Sequence, residues 1–164
     1  MSRSHICRPA TVRGMMTPRD EEKIMLARNS YPADYVAAAR ASLEARVATY
    51  RAMVAAGEGA GFDAAVKVFE PVFFNDLVLV LENYFVHRLR NAEGKDGNAL
   101  NEVRLLSAAL MGNDGRFAVD KQTRWRPEGS VLGYAPGDEI AVREDDFRRL
   151  ADAFLAEIAA RYPA

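Results

Sequence analysis

Polar and charged side chains are concentrated in residues 83–104, "NYFVHRLRNAEGKDGNALNEVR", between two stretches with apolar helical patterns. His87 is the only histidine of the chain beyond the first sixteen residues. Because an imidazole takes up and releases a proton near neutral pH, His87 is a candidate general acid or base. The side chains that would orient a polar or anionic substrate in such an enzyme are Asn83, Arg88, Glu102 and Arg104.

The same stretch also supports a non-enzymatic interpretation. Asn98 is of the residue type that caps helices, and free amides beside it, near Lys95 and Arg104, could hold a carboxylate or a phosphate. Asn101 in the following turn is a further candidate ligand. In a purely structural turn the acids inside the protein satisfy these amides instead, and these acids are Glu93, Asp96 and Glu102. A non-enzymatic helical module with a structural or small-anion-binding cluster is the main prediction, and the His87 enzyme is the alternative.

No metal or cofactor site is predicted. The chain has no HExxH motif, and its acids do not recur as Glu-x-x-His on two helices. "EGKDGN" at residues 93–98 differs from a phosphate-binding loop, since a helical pattern precedes it and an aspartate follows the lysine. The single cysteine, Cys7, excludes an intrachain disulfide and a cysteine-rich zinc site, and it fits a reducing cytoplasm.

Composition and charge argue against nucleic acid and membranes as partners. The 164 residues carry 22 basic and 23 acidic side chains, so no positive excess attracts phosphate backbones or anionic lipid. Arg124-Trp125-Arg126 places an aromatic ring between cations, as in some single-strand binders, but without a wider basic surface we expect a packed tryptophan. The apolar run at residues 77–81 is far shorter than the ~20 residues of a membrane span.

Apolar residues spaced by three and four positions predict a mainly α-helical fold. One helix should begin at Pro32 and end near Gly57, and a short one should cover residues 63–70 before Pro71 breaks or kinks the chain. The next helix is apolar around most of its circumference, so Leu77, Leu81 and Phe85 should be buried. Further helices are predicted at residues 98–112 and 143–162.

These helices should form a single-domain bundle of about five helices over residues 17–164. A short helix at residues 18–28 would begin it, and residues 1–16 form an N-terminal tail without a helical or strand pattern. Turn residues and short β-prone runs predict a small β-hairpin near residues 131–142. We also expect the chain to form a homo-oligomer.

Three segments resemble a group of small bacterial cytosolic proteins. They are "FVHRLRNAEGKDGNALNEVRLL", "SVLGYAPGDEIAV" and "FLAEI", and the resemblance covers about residues 73–162. It brings with it no activity, cofactor or catalytic residue. What it implies is a single-domain protein of the bacterial cytoplasm.

Overall fold

The computed structural model describes residues 27–164, which contain five α-helices. These are α1 (Ala33–Ala56), α2 (Ala60–Tyr84), α3 (Arg90–Glu93), α4 (Ala99–Gly112) and α5 (Glu144–Arg161), with a 3₁₀ turn at Pro127–Gly129. The predicted mainly helical bundle is therefore confirmed. The predicted tail at residues 1–16 lies outside the described residues, as does most of the helix predicted at residues 18–28.

The second helix, α2, is the most apolar element and contributes much of the core. It packs against α1, α4 and α5, and α1 and α4 each also pack on α5. Leu77, Leu81 and Phe85 are 3%, 0% and 0% exposed, so the prediction that they are buried is confirmed. Pro71 lies inside α2, and the separate short helix predicted at residues 63–70 is instead the N-terminal half of this helix. No helix within residues 27–164 combines the length and apolar character of a membrane span.

The other long helices bury the faces that their periodicity predicts. The buried apolar residues of α1 are Ala39, Leu43, Val47 and Tyr50, and those of α4 include Leu100, Val103 and Leu106, which are spaced by three positions. Asn98 caps α4 as predicted, since its side-chain oxygen accepts hydrogen bonds from the amides of Leu100 and Asn101. Gly57 ends α1, also as predicted.

The segment between α4 and α5 is irregular, and the hairpin predicted near residues 131–142 is not formed. Residues 137–140 pair instead with residues 115–117, with hydrogen bonds of 2.8 Å from Phe117 N to Asp138 O and from Ile140 N to Gly115 O. The side chain of Asn75 on α2 takes backbone groups that a hairpin partner would need. It donates to Ile140 O at 2.9 Å and accepts from Val142 N at 3.1 Å.

Candidate functional site

A turn after α2 carries Arg88 back into the core. The helix ends at Tyr84, and Arg88 N donates to Phe85 O at 3.0 Å to close the turn. The Arg88 side chain is 0% exposed, and its guanidinium lies 5.3 Å from the ring centroid of Phe154. It donates to two backbone carbonyls, Phe85 O at 3.1 Å and Leu100 O at 3.3 Å. A buried cation of this kind requires carboxylates close by.

Glu82 and Glu93 supply the negative charge around Arg88. Arg88 Nε donates to Glu93 Oε2 at 3.2 Å. Its Nη1 lies 2.9 Å from Glu82 Oε2, a contact between charges without the alignment of a hydrogen bond. Arg90 connects the same two carboxylates, donating to Glu93 Oε2 at 2.6 Å and to Glu82 Oε1 at 3.3 Å.

The second oxygen of Glu93 faces α4. Glu93 Oε1 accepts from Asn101 Nδ2 and from Arg104 Nε, both at 2.9 Å. Burial by itself would raise the pKa of Glu93, but Arg88 and the hydrogen bonds from Arg90, Arg104 and Asn101 outweigh burial and hold it below its ordinary value. We use the name Glu93 cluster for these side chains, which are Glu82, Arg88, Arg90, Glu93, Asn101 and Arg104.

Glu102 is buried in a different environment from that of Glu93. It is 0% exposed, and its two oxygens accept from the amides of Val131 and Leu132 at 2.7 and 2.9 Å. Burial raises the pKa of Glu102, although these two amides and the charge of Arg149 act in the opposite direction. Glu102 therefore fastens the loop at residues 130–133 to α4 and does not face a ligand.

A cleft of about 370 Å³ opens beside the Glu93 cluster. We call it the Arg104 cleft. The residues that line it are Arg90, Glu93, Gly94, Lys95, Arg104, Asp120, Lys121, Gln122 and Thr123. Lys95 Nζ donates to Gln122 Oε1 at 2.9 Å, while Lys121 has no ion-pair partner within the part of the chain that the structure describes. Two of the predicted ligand residues, Lys95 and Arg104, thus line one cleft.

The turn at residues 120–123 forms one wall of the cleft. Asp120 Oδ1 accepts from the amides of Gln122 and Thr123, at 2.9 and 2.8 Å, and from Thr123 Oγ1 at 2.9 Å. Asp120 Oδ2 accepts from Arg104 Nη1 at 2.7 Å. Burial would raise the pKa of Asp120, but the hydrogen bonds from Arg104, Gln122 and Thr123 keep it well below its ordinary value.

The sequence analysis did not identify five of the lining side chains, which are Arg90, Asp120, Lys121, Gln122 and Thr123. The sequence does contain a local signal for this turn. An aspartate side chain can accept hydrogen bonds from backbone amides two and three positions later, which is typical of an Asx turn. Its contact with α4 had no signal, since nothing in the sequence pairs Asp120 with Arg104.

The structure does not bring His87 and Asn83 to the cleft. Because α2 ends at Tyr84, His87 lies in the following turn and is exposed, and it is not among the residues that line the Arg104 cleft. Its backbone carbonyl accepts from Arg28 N at 2.7 Å. Asn83 and Asp76 are exposed on α2. Asn83 and Asp76, seven positions apart, share one face of α2, but the helix ends before His87 and leaves it outside that face.

The amides at the start of α4 are used inside the protein. Asn98 Oδ1 accepts from Leu100 N at 2.9 Å and from Asn101 N at 3.2 Å. Asn101 Oδ1 accepts from Gly97 N at 3.0 Å, and its Nδ2 also reaches Gly94 O at 3.2 Å. Asn98 and Asn101 therefore stabilise the turn and leave these amides no capacity for a ligand.

Trp125 packs rather than facing solvent between its two arginines. Its ring lies 4.9 Å from that of Phe117, and its Nε1 donates to Tyr134 O at 3.0 Å. This arrangement confirms the expected packed tryptophan.

The Arg104 cleft is therefore lined by four cationic side chains, two carboxylates, one side-chain amide and one hydroxyl. Among residues 27–164, no three or more His, Cys, Asp or Glu side chains are grouped so that they could hold a metal ion. Comparisons with protein-family models, with curated proteins and with solved structures gave no match, so the interpretation of the cleft rests on its geometry.

Proposed function

We propose that this protein is a non-enzymatic helical module that binds a small anion in the Arg104 cleft. One observation carries the proposal. Four cationic side chains line the cleft against two carboxylates, and both carboxylates already accept hydrogen bonds from arginines. Four positive and two negative side chains leave an excess of two positive charges, which a small anion would balance. The cavity of about 370 Å³ is large enough for a phosphate ester or a dicarboxylate.

The Glu93 cluster supports this role by holding the cations in place before a ligand arrives. Arg104 is held through Nε by Glu93, and Arg90 is held by both Glu82 and Glu93. A guanidinium that is already oriented loses little conformational entropy on binding, which favours affinity. In this proposal the buried part of the cluster is structural and its exposed edge binds the anion.

The alternative, an enzyme with His87 as general acid or base, has less support. His87 is separated from the cleft, and the cleft itself is lined by side chains that bind charge. Its one hydroxyl, Thr123 Oγ1, accepts from Arg104 and donates to Asp120, an aspartate without a histidine beside it in the lining. The geometry therefore favours binding over catalysis.

Calorimetric titration with inorganic phosphate tests the proposal. We expect saturable binding to the unmutated protein, and Lys121→Gln should weaken it about threefold, as the loss of one exposed charge contact does. Arg126→Gln is the matched control, because Arg126 is an exposed cation of the same segment outside the cleft lining, and its affinity for phosphate should be unchanged. Absence of binding by phosphate, sulfate and succinate alike would contradict the proposal.

We further propose that the protein forms a homo-oligomer in the bacterial cytoplasm. The single cysteine supports the reducing setting. Association is supported by apolar side chains on α2 that face solvent, with Val68, Phe69 and Val72 exposed by 72%, 43% and 54%. Native mass spectrometry reports the subunit count and any retained anion together, and a species that stays monomeric at high protein concentration would contradict self-association.

A further inference from the structure

Asp120 occupies a position in the Arg104 cleft that suits an external anion. Its carboxylate accepts four hydrogen bonds, from the amides of Gln122 and Thr123, from Thr123 Oγ1 and from Arg104 Nη1, at distances of 2.7 to 2.9 Å. Adjacent backbone amides, a hydroxyl and a guanidinium are also the donors that proteins use for bound carboxylates and phosphates. Part of the cleft is thus a built oxyanion site filled from within the chain.

We propose that Asp120 is a tethered competitor for this site, and that an external oxyanion binds by displacing its carboxylate from Arg104, Gln122 and Thr123. The inference rests on the proposed anion-binding function and adds how the affinity of the cleft is set. A group tethered beside its site acts as if it were present at a high local concentration, so weakly held anions do not displace it.

The surrounding contacts favour a movement of Asp120 over a movement of Arg104. Arg104 is fixed from its other side by Glu93, through the 2.9 Å hydrogen bond to Nε, and α4 holds its backbone. The Asp120 side chain is 38% exposed and belongs to the irregular segment between α4 and α5. Displacement therefore requires a rearrangement of the turn at residues 120–123 and leaves the helices unchanged.

The charges in the cleft favour a dianion as the ligand. Asp120 contributes one negative charge and forms no ion pair with Lys121 in the described part of the chain. When Asp120 leaves the site, one negative charge leaves with it. An incoming dianion replaces that charge and brings a second one, which Lys121 and Lys95 can contact. A monocarboxylate gains no such advantage over the tethered aspartate. The ligand class is therefore a small dianionic oxyanion, either a phosphate or a dicarboxylate.

Asp120→Asn provides the main test, with inorganic phosphate, succinate and acetate as probes in calorimetry. The amide oxygen can still accept from the amides of Gln122 and Thr123, while the competing charge is removed. We expect phosphate to bind about tenfold more tightly than to the unmutated protein, since a like charge close to the ligand is removed. Acetate should change from no detectable binding to weak binding. The ratio of succinate to phosphate affinity distinguishes the two sources of the dianion.

Asp138→Asn is the matched control. Asp138 also accepts a turn amide, from Ala135 N at 2.8 Å, but it lies outside the cleft lining. Its replacement should leave all three affinities unchanged. A phosphate affinity of Asp120→Asn that equals or falls below that of the unmutated protein overturns the competitor role while leaving the proposed function intact. If neither protein binds any probe, the proposed function itself is overturned.

A second measurement decides the question if Asp120→Asn does not fold. In the unmutated protein, saturation with phosphate should change the amide chemical shifts of Gln122 and Thr123, because their acceptor changes from Asp120 to the ligand. Unchanged shifts at these two residues, with phosphate bound, would overturn the displacement.

Discussion

At the residue scale, the polar cluster depends on Glu93. Each of its carboxylate oxygens accepts two hydrogen bonds. Oε2 accepts from Arg88 and Arg90, and Oε1 accepts from Asn101 and Arg104. A buried charge is tolerated only when it is paired and hydrogen-bonded in this way. Removing one partner leaves the other charge buried and unpaired, and its desolvation is then no longer compensated. Arg88, which is fully buried, would bear most of that cost.

Glu93→Ala should therefore destabilise the protein by about 3–5 kcal/mol, as the loss of one partner of a buried ion pair does. The free energy of unfolding from chemical denaturation measures the effect. Glu44→Ala on α1 serves as the control, because Glu44 is exposed, and its replacement should change stability by less than about 0.5 kcal/mol. A loss below about 1 kcal/mol for Glu93→Ala would show that the cluster contributes little to folding.

At the scale of elements, the position where α2 ends decides the chemistry of the stretch that follows. Had the helix continued through His87, that side chain would share a face with Asn83. Because the helix ends at Tyr84, the turn directs Arg88 inward and leaves His87 exposed. The four-residue helix α3 then places Glu93 against Arg88 and α4.

The burial of α2 gives a prediction for this element. Leu81, in the last turn of α2, is 0% exposed, so Leu81→Ala should lower the free energy of unfolding by about 2–5 kcal/mol through lost burial and the cavity left behind. Met111→Ala on α4 is the control, since Met111 is 76% exposed and its truncation should cost less than about 0.5 kcal/mol. Equal losses for the two variants in a denaturant titration would mean that the buried face of α2 is misassigned.

At the scale of the whole molecule, two buried glutamates should make stability depend on pH in opposite ways. The pKa of Glu93 is below its ordinary value of 4.5, so its contribution is present above pH 4.5 and is lost as the pH falls through the lowered value. The pKa of Glu102 is above 4.5, so its contribution is greatest below pH 4.5 and is lost as the pH rises through the raised value.

Unfolding measured from about pH 3 to about pH 7 separates the two residues. The stability lost in Glu93→Gln relative to the unmutated protein should shrink on acidification. The stability lost in Glu102→Gln should instead grow on acidification. Parallel pH profiles for the unmutated protein and both variants would contradict these assignments.

The sequence by itself determined the features that arise within a few residues. These features follow from periodicities and side-chain types that act over one or two helical turns. They are the buried apolar faces of α1, α4 and α5, the burial of Leu81 and the cap at Asn98. The mainly helical class could be predicted for this reason.

Only the tertiary structure decided which charges meet. Arg104 joins Glu93 and Asp120 across eleven and sixteen positions of the chain, and Asn75 reaches Ile140 across sixty-five. Such pairs form because helix packing buries polar groups that are distant in the sequence, and each buried polar group needs a partner, a constraint without a local pattern in the sequence. For the same reason the hairpin near residues 131–142 was predicted but not formed, since Asn75 takes the backbone groups that its strands would have shared.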